Sequence, residues 1–342
     1  MLPAANGTRY YSIMKVKISE LRHHIESLLS MRFTAEESAR ITDYLIWADM
    51  SGIVTQGIIK MTGTEPLQAI KPKHDITVER DTPISQLINA GAYPAPLVSQ
   101  RATDVAIEKA KKGGFAIVGV HNTFSSNGAQ AYYAGRMAQE DLIGIVMARS
   151  PGSVAPFGSI DPLFGTNPVG FAFPTNNEPL VFDMATSAMT WYGLVLAKAK
   201  GQKIPTNMAI DHNGKETIDP ADAMKGALHP FDHSYKSAGL GMVVEIMSGP
   251  LAASAYCDCE TFDKEWGSTF IAIDPGLLVD VKKFKSECSD LVSKVKTSRT
   301  NSQVRLPGER ALETYKKAES TGEVEVEDVL LKELEFTPAG SK

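Results

Sequence analysis

Residues 115–150, FAIVGVHNTFSSNGAQAYYAGRMAQEDLIGIVMARS, set the fold class of this chain. The opening FAIVGVHN is a continuous apolar run that predicts a buried strand, QAYYAGRMAQEDL has helical spacing, and IGIVMARS predicts a second strand. No GxGxxG follows a strand in this chain, and neither GxxxxGKS nor GxxxxGKT occurs. The stretch therefore predicts a mixed α/β centre without the ordinary Rossmann phosphate turn.

Helical segments stand on both sides of this centre. Apolar residues recur at helical spacing in residues 17–50, where Thr34 and Glu37 form a capping box that opens a second helix. Residues 279–296 are helical and amphipathic again. Residues 239–255 are apolar on every side of a helix, which predicts that this helix is buried.

The order of these segments predicts two domains. Residues 168–187 contain two short strands separated by the turn NNE. Prolines and polar residues in residues 71–96 indicate an extended connector. We therefore expect both termini, residues 1–96 and 275–342, to build a helical domain for dimerisation and substrate binding around a second domain, residues 97–274.

Composition argues against nucleic-acid and membrane partners. The 342 residues are 43% hydrophobic and 22% charged, and their net charge is −5 at pH 7. Because Lys and Arg are scattered, the chain lacks the basic stripe that nucleic-acid binding requires. No apolar run approaches the roughly 18 to 20 residues that span a bilayer.

The cysteines indicate a reducing compartment. Three cysteines cannot form a disulfide framework, and the N-terminus lacks the apolar core of a signal peptide, so we expect a cytoplasmic protein. Cys257 and Cys259 are separated by one residue, and no second Cys or His pair stands near them at zinc-finger spacing. We therefore expect no metal site.

Seven phrases follow one another along the chain: HNTFSSNGAQAYYAG (121–135), PLFGTNPVGFAFP (162–174), PLVFDMATSA (179–188), AKAKGQKIP (197–205), TIDPADAMKGALHPF (217–231), GLGMVVEIMSG (239–249) and QVRLPGER (303–310). Together they resemble the malate/L-lactate dehydrogenase family, which is unrelated to the Rossmann dehydrogenases. Within that family, PLFGTNP and QVRLPGER are similar to the Δ1-piperideine-2-carboxylate/Δ1-pyrroline-2-carboxylate reductases.

The resemblance implies an oxidoreductase that acts on a small molecule with NADPH or NADH. It implies a non-Rossmann nicotinamide-binding domain with a mostly antiparallel sheet, a helical domain built from both termini, and a homodimer. The helical ends inferred above from periodicity agree with this arrangement.

The resemblance also implies cofactor contacts in four segments. In the segment 126–130, free N–H groups at the start of the helix that follows and the dipole of that helix would favour a phosphate. In the segment 305–308, Arg305 would pair with a phosphate or a carboxylate. Taken alone, each segment has an ordinary explanation as a helix cap, a turn acid, a surface lysine or a proline turn. The implied residues are Ser126, Asn127, Gly128, Ala129 and Gln130; Asp183, Met184 and Ala185; Tyr235 and Lys236; and Arg305, Leu306, Pro307 and Gly308.

The segment ADMSGIVTQGIIK carries the implied catalytic pair, Thr55 and Gln56, between two glycines that suit a sharp turn or a close approach. In the family, the residues matching Thr55-Gln56-Gly57 are Ser-His-Gly, and the histidine donates the proton. The family arginine that holds the substrate carboxylate is matched by Lys60, and Thr166 would contact the substrate. Glutamine has no proton to donate, so it can only orient a ligand through hydrogen bonds.

Three functions remain open. A ketimine that is protonated before hydride arrives becomes a neutral amine without an acid, so a reductase of a carboxylate-bearing cyclic or N-substituted ketimine tolerates glutamine. A 2-oxoacid or 2-hydroxyacid dehydrogenase would need a relocated acid, because hydride delivery to a ketone builds an alkoxide. Candidates for that acid are His121, Tyr132, Tyr133 and Tyr235. The third hypothesis is a cofactor-binding pseudoenzyme.

Overall fold

The computed structural model describes residues 12–63, 66–257, 265–299 and 302–338. Its strands are β1 (Ile13–Lys17), β2 (Thr77–Thr82), β3 (Ser85–Asn89), β4 (Phe115–Thr123), β5 (Ile143–Arg149), β6 (Val169–Phe173), β7 (Leu180–Met184), β8 (Ala209–Ile210), β9 (Glu216–Thr217), β10 (Ala227–Leu228), β11 (Trp266–Ile273) and β12 (Glu323–Glu327). Its helices are α1 (Ile18–Leu29), α2 (Ala35–Met50), α3 (Ala95–Gly113), α4 (Gln130–Gln139), α5 (Trp191–Ala199), α6 (Pro220–Ala223), α7 (Tyr235–Ser248), α8 (Val281–Lys296), α9 (Glu309–Thr321) and α10 (Asp328–Glu333).

A seven-stranded sheet in the order β2-β3-β4-β11-β5-β6-β7 forms the centre of the molecule. β3 and β4 are parallel, and the other five neighbouring pairs in this sheet are antiparallel. The sheet confirms the predicted mixed α/β class with mostly antiparallel strands. Helix α3 connects the two parallel strands, but the turn after β3, AGAYP, lacks the glycine fingerprint of a Rossmann turn.

Strand β4 shows why this centre folds as a sheet. Its residues Val118 and Val120 lie on the buried face, and Val118 is in register with Phe270 of β11. Phe270 contacts Tyr133 of α4 edge to face, with ring centroids 5.8 Å apart. Burying each large apolar side chain contributes about 1.5–3 kcal/mol, so this contact anchors α4 to the sheet.

The two ends of the described chain pair with each other. β1 and β12 are antiparallel, with Val16 in register with Val324, and both valines are buried. Helix α2 begins as predicted, because the hydroxyl of Thr34 accepts the N–H of Glu37 while the Glu37 carboxylate accepts the N–H of Thr34. The termini therefore lie together in a helical region beside the large sheet.

The extended connector expected over residues 71–96 is wrong. β2 and β3 form an antiparallel hairpin there, and β3 joins the large sheet beside β4. The sequence hides this hairpin because β2 is an edge strand whose TVERDT side chains are almost all exposed, so they show no apolar alternation. The division into residues 1–96 with 275–342 and residues 97–274 stays a prediction.

The prediction that residues 239–255 form a buried helix is also wrong. Helix α7 buries Val244 against β5 and β11, whereas Met242, Val243 and Ile246 are about half exposed. One face of α7 therefore has no covering layer among the described residues. At 14 residues α7 is shorter than a bilayer span, and no helix in the described ranges is long and apolar enough to cross a membrane.

Candidate active site

The turn that carries Thr55 and Gln56 is held by Asp49, near the end of α2. The Asp49 carboxylate accepts the N–H of Ile58 at 2.8 Å. A methyl group on Gly57 would overlap that carboxylate, so any larger residue there must displace the carboxylate or the backbone. The preceding glycine, Gly52, has φ +70°, which turns the chain back from the helix. The glycines thus serve the sharp turn and the close approach that the sequence predicts.

Burial sets the chemistry of this turn. The side chain of Asp49 is enclosed by protein, which raises the pKa of its carboxyl to about 7 against the opposing effect of the Ile58 N–H. Thr55 and Gln56 are half-buried. The side-chain oxygen Oε1 of Gln56 is buried, and no described residue donates a hydrogen bond to it. An unpaired buried acceptor costs about 1–3 kcal/mol, so a ligand N–H would be stabilised there.

Lys60 lies on the same turn and faces a tyrosine from a distant part of the chain. Its Nζ is 5.7 Å from the centroid of the Tyr192 ring, at the start of α5. Burial, helped by Glu327 and Glu333, raises the pKa of Tyr192 to about 12, so the hydroxyl stays protonated. Tyr192 was not among the predicted site residues, and the one local signal for it is that TWYGL follows directly on the phrase DMATSAM.

A second residue of α2 holds the loop before α4. The Tyr44 hydroxyl accepts the N–H of Ala129 at 2.7 Å, and a side chain on Gly128 would overlap that hydroxyl. Gly128 also has φ +84°, so both its backbone and its surroundings require glycine. Asn127 is fixed from below, because the Tyr133 hydroxyl donates to its carbonyl at 2.6 Å. Tyr44 and Asp49 therefore make α2 the common support of two predicted site segments.

Asp183 occupies the start of α4. Its carboxylate accepts the N–H of Ala131 at 2.9 Å and is also bonded by the N–H of Gln130. Burial raises the pKa of the Asp183 carboxyl to about 6, and these two N–H groups oppose the rise. The expectation that the helix start offers free N–H groups to a phosphate is wrong, because Asp183 and Tyr44 already accept these hydrogen bonds.

Thr166 lies against the segment that follows Asp183. The carbonyl oxygen of Thr166 accepts the N–H of Thr186 at 2.9 Å, one residue after Ala185. The last predicted segment approaches the same strand, since Gly308 has φ +74° and a side chain there would overlap the Val181 carbonyl. Loop 126–130, residues 183–185, Thr166 and the end of loop 302–308 thus adjoin β7.

Tyr235 and Lys236 open helix α7. Tyr235 is 69% exposed at the first turn of α7, and Lys236 is exposed beside it. The Lys236 N–H caps the helix through the hydroxyl of Ser234 at 3.0 Å. Arg305 is exposed as well, so these two cations stand at the surface rather than in the packed part of the site.

The malate/L-lactate dehydrogenase family model matches residues 16–335 of this chain. The chain belongs to that family. Three proteins indicate the range of its relatives. L-sulfolactate dehydrogenase of Methanothermobacter thermautotrophicus is 34% identical over 318 residues, which cover 90% of this chain and 92% of the relative. The Δ1-pyrroline-2-carboxylate/Δ1-piperideine-2-carboxylate reductase of Pseudomonas putida is 28% identical, covering 94% of this chain and 97% of the reductase.

The third is a solved structure, malate dehydrogenase from Entamoeba histolytica. It superposes with a TM-score of 0.87 at 26% identity and covers 95% of this chain and 97% of that chain. Family and relatives indicate an oxidoreductase of the dehydrogenase/reductase type that uses a nicotinamide cofactor. The identity to the sulfolactate dehydrogenase exceeds the identity to the reductase that PLFGTNP and QVRLPGER resemble.

The residues present fit the cofactor of a malate/L-lactate dehydrogenase family member. The orphaned acceptor Oε1 of Gln56 can take an N–H from a carboxamide such as that of nicotinamide, and its two lone pairs leave room for a second donor. Arg305 and Lys236 are exposed cations, which is compatible with the phosphates of such a cofactor. Loop 126–130 and Asp183 contribute a rigid, already bonded frame rather than free amides.

Three of the four candidate substitutes for the family's acid, His121, Tyr132 and Tyr133, are engaged elsewhere. His121 Nε2 is 3.0 Å from the Glu79 carboxylate. Burial lowers the pKa of this histidine, but hydrogen bonds and charge from Glu265 and Glu79 outweigh burial, so its pKa is raised. Tyr133 donates to a backbone carbonyl, and burial raises the pKa of its hydroxyl well above the usual value. The Tyr132 hydroxyl donates to Gln100 at 3.4 Å.

A metal site was not expected. The described residues contain no group of three or more His, Cys, Asp or Glu side chains arranged to hold a metal ion. Cys257 is half-buried, and Cys259 lies outside the described residues.

Proposed function

We propose that this chain reduces a carboxylate-bearing cyclic or N-substituted ketimine. The observation that carries the proposal is the buried Oε1 of Gln56, which accepts no hydrogen bond from any described residue. A protonated imine has an N–H to donate to this oxygen, whereas a ketone has only an acceptor. The ketimine N–H can therefore bind the lone pair of Oε1 that a nicotinamide carboxamide leaves open, whereas a ketone offers no donor to it.

Gln56 also limits which reduction this site can catalyse, because its side chain has no proton to donate. The nicotinamide supplies a hydride to the substrate carbon when it is bound. Gln56 then needs only to orient the N–H, because a protonated ketimine becomes a neutral amine without taking a further proton. A ketone in the same place would need an acid tuned near the working pH, which glutamine cannot supply.

The remaining residues have binding roles in this proposal. Lys60 holds the substrate carboxylate, Thr166 contacts the substrate, and Thr55 shapes the turn that presents Gln56. Cofactor binding is assigned to Ser126, Asn127, Gly128, Ala129, Gln130, Asp183, Met184, Ala185, Tyr235, Lys236, Arg305, Leu306, Pro307 and Gly308. NADPH is proposed over NADH because the phrases PLFGTNP and QVRLPGER resemble those of the imine reductases.

The test is a comparison of substrates. Oxidation of NADPH and of NADH is followed with cyclic imino acids and with 2-oxoacids as substrates of the same preparation. The proposal expects cyclic imino acids to give the higher kcat/KM. A higher kcat/KM for 2-oxoacids would contradict it.

A second candidate is a dehydrogenase of 2-oxoacids or 2-hydroxyacids with a relocated acid. The observation in its favour is the 34% identity to an L-sulfolactate dehydrogenase. Against it stand the engaged side chains of His121 and Tyr133. A third outcome, binding of the cofactor without turnover of either substrate class, would identify a pseudoenzyme.

We also propose a cytoplasmic homodimer without nucleic-acid or membrane partners. The half-exposed Met242, Val243 and Ile246 on α7 support a partner copy, because they form an apolar face that no described residue covers. The free thiol of Cys288 is consistent with a reducing compartment.

A further inference from the structure

Lys60 and Tyr192 are 132 positions apart in sequence and meet at the turn that carries Gln56. Thr190 caps the start of α5 by accepting the N–H of Gly193 at 3.1 Å, which fixes the helical turn from which Tyr192 projects. The Tyr192 ring also reaches Gly63, where an added methyl would lie 3.9 Å from it. Tyr192 is therefore a packed part of the turn rather than a loose surface side chain.

A lysine alone is a weak selector of carboxylates. Its ammonium is a point charge on a flexible stem, and it lacks the planar fork with which arginine binds both carboxylate oxygens. An aromatic ring within 6 Å attracts the ammonium by a cation–π interaction, and so narrows the directions that Nζ can take. The Lys60–Tyr192 distance of 5.7 Å satisfies that limit.

The surroundings keep the Tyr192 hydroxyl a neutral donor. Glu333 accepts the hydroxyl of Thr62 at 3.1 Å, and Glu327 is 3.5 Å from Lys200. These two carboxylates and burial raise the pKa of Tyr192 to about 12, so its proton is present wherever the enzyme would be assayed. A neutral O–H can donate to a carboxylate without adding a charge.

We propose that Tyr192 is a specificity-determining residue that selects carboxylate-bearing substrates together with Lys60. Its ring holds the ammonium in place, and its hydroxyl donates the second hydrogen bond to the carboxylate. Lys60 and Tyr192 together then do what one arginine would do. The inference rests on the role proposed above for Lys60, and it concerns substrate choice rather than the transfer of hydride.

The experiment compares Tyr192→Phe with wild type on a cyclic imine that carries a carboxylate and on the same ring without it. Phenylalanine keeps the ring and removes the donor. KM for the carboxylate-bearing imine should rise about tenfold or more, the value of a hydrogen bond to a charged group, with kcat nearly unchanged. KM for the carboxylate-free imine should not change. Tyr93→Phe, a half-buried tyrosine that packs on Phe33, is the matched control and should alter neither.

Rescue separates a specific role from a structural one. The double variant Lys60→Arg with Tyr192→Phe should recover most of the lost affinity, because the guanidinium supplies two donors. An unchanged KM in Tyr192→Phe, or an equal rise for both imines, would overturn the inference.

Binding also tests the inference apart from the proposed function. Calorimetry with the saturated cyclic amino acid should show the same tenfold weakening in Tyr192→Phe even if imines are not reduced. If 2-oxoacids are the substrates instead, the proposed function is wrong. The role of Tyr192 is then still tested by the affinity for the saturated cyclic amino acid. Equal affinity of wild type and variant would contradict it.

Discussion

The carboxylate of Asp49 accepts the backbone N–H of Ile58 at 2.8 Å, directly beneath Gly57. This bond ties the end of α2 to the turn that presents Thr55 and Gln56. The same helix holds the Ala129 amide through Tyr44. One helix therefore fixes the relative positions of the proposed substrate turn and the proposed cofactor loop.

Replacing Gly57 by alanine should disturb the turn. The added methyl overlaps the Asp49 carboxylate, so the backbone or the carboxylate must move, at a cost of about 1–3 kcal/mol in the free energy of unfolding. We expect a lower melting temperature and a kcat reduced about tenfold or more, because misplacement by 1 Å can reduce rates a hundredfold. Gly113→Ala, at the end of α3, is the control, since an added methyl there meets only Ile84 Cγ2 at 3.4 Å, an ordinary contact. Equal effects of the two changes would contradict the account of the turn.

Asp49→Asn should change how stability depends on pH. The pKa of the Asp49 carboxyl is about 7 in the folded chain, against an ordinary value of 3.8 for the unfolded chain. The folded state therefore holds the proton more tightly than the unfolded state. Its contribution to stability is therefore full below pH 3.8 and is lost as pH rises towards about 7. The loss can approach about 1.4 kcal/mol per pH unit.

Asparagine keeps an acceptor for Ile58 but does not titrate, so the variant should lose less stability across that window. Urea unfolding at a series of pH values measures the free energy of unfolding. The matched variant Asp183→Asn should flatten the curve only up to about pH 6, the pKa of Asp183. Parallel curves for wild type and Asp49→Asn would show that Asp49 does not titrate in this range.

Tyr44→Phe should loosen the loop before α4. The change removes the acceptor of the Ala129 N–H and leaves a buried donor unpaired, which costs about 1–3 kcal/mol in the free energy of unfolding. We expect weaker binding of NADPH by calorimetry as well, because the loop belongs to the proposed cofactor site. Tyr315→Phe serves as the control on a half-buried tyrosine of α9. Unchanged cofactor affinity would remove this loop from the site.

Ile246→Glu should disrupt the proposed homodimer. Ile246 is 53% exposed on α7, so a glutamate there is tolerated by the single chain but places a charge in an apolar interface. Light scattering at micromolar concentration should give a dimer for wild type and a monomer for the variant. Leu278→Glu, at a residue 91% exposed outside α7, should remain a dimer. A monomeric wild type would contradict the proposal.

Local patterns predicted much of the fold. The turn NNE correctly separates β6 from β7, and Thr34 with Glu37 correctly marks the start of α2, because each signal depends on residues a few positions apart. The β2–β3 hairpin was missed because an exposed edge strand carries no apolar alternation. The exposed face of α7 was missed because an all-round apolar helix does not reveal which side the rest of the chain covers.

The site was less predictable, because its contacts join distant residues. The segment SSNGAQA leads into α4, but nothing in it indicates that Asp183 accepts the N–H groups at the start of that helix. Likewise, nothing in the sequence near Lys60 indicates that Tyr192 lies beside it. The one local signal was Asp49, an acid at the end of the apolar segment YLIWADM that precedes the turn. Phrase order identified the segments that adjoin β7, but only the three-dimensional contacts show which of their hydrogen bonds are already made.

The central claim is that Gln56 orients a protonated imine and donates no proton. It is tested most directly by measuring kcat/KM for a cyclic imino acid and for a 2-oxoacid in wild type and in Gln56→His. Wild type should prefer the imino acid, and the histidine should change that rate little. Gln56→His should raise kcat/KM for the 2-oxoacid, by up to the roughly 10²- to 10⁴-fold that general acid catalysis supplies. Because Thr55 stands in place of the family serine, we expect a smaller gain. A wild type that prefers the 2-oxoacid, with a rate that Gln56→His leaves unchanged, would contradict the claim.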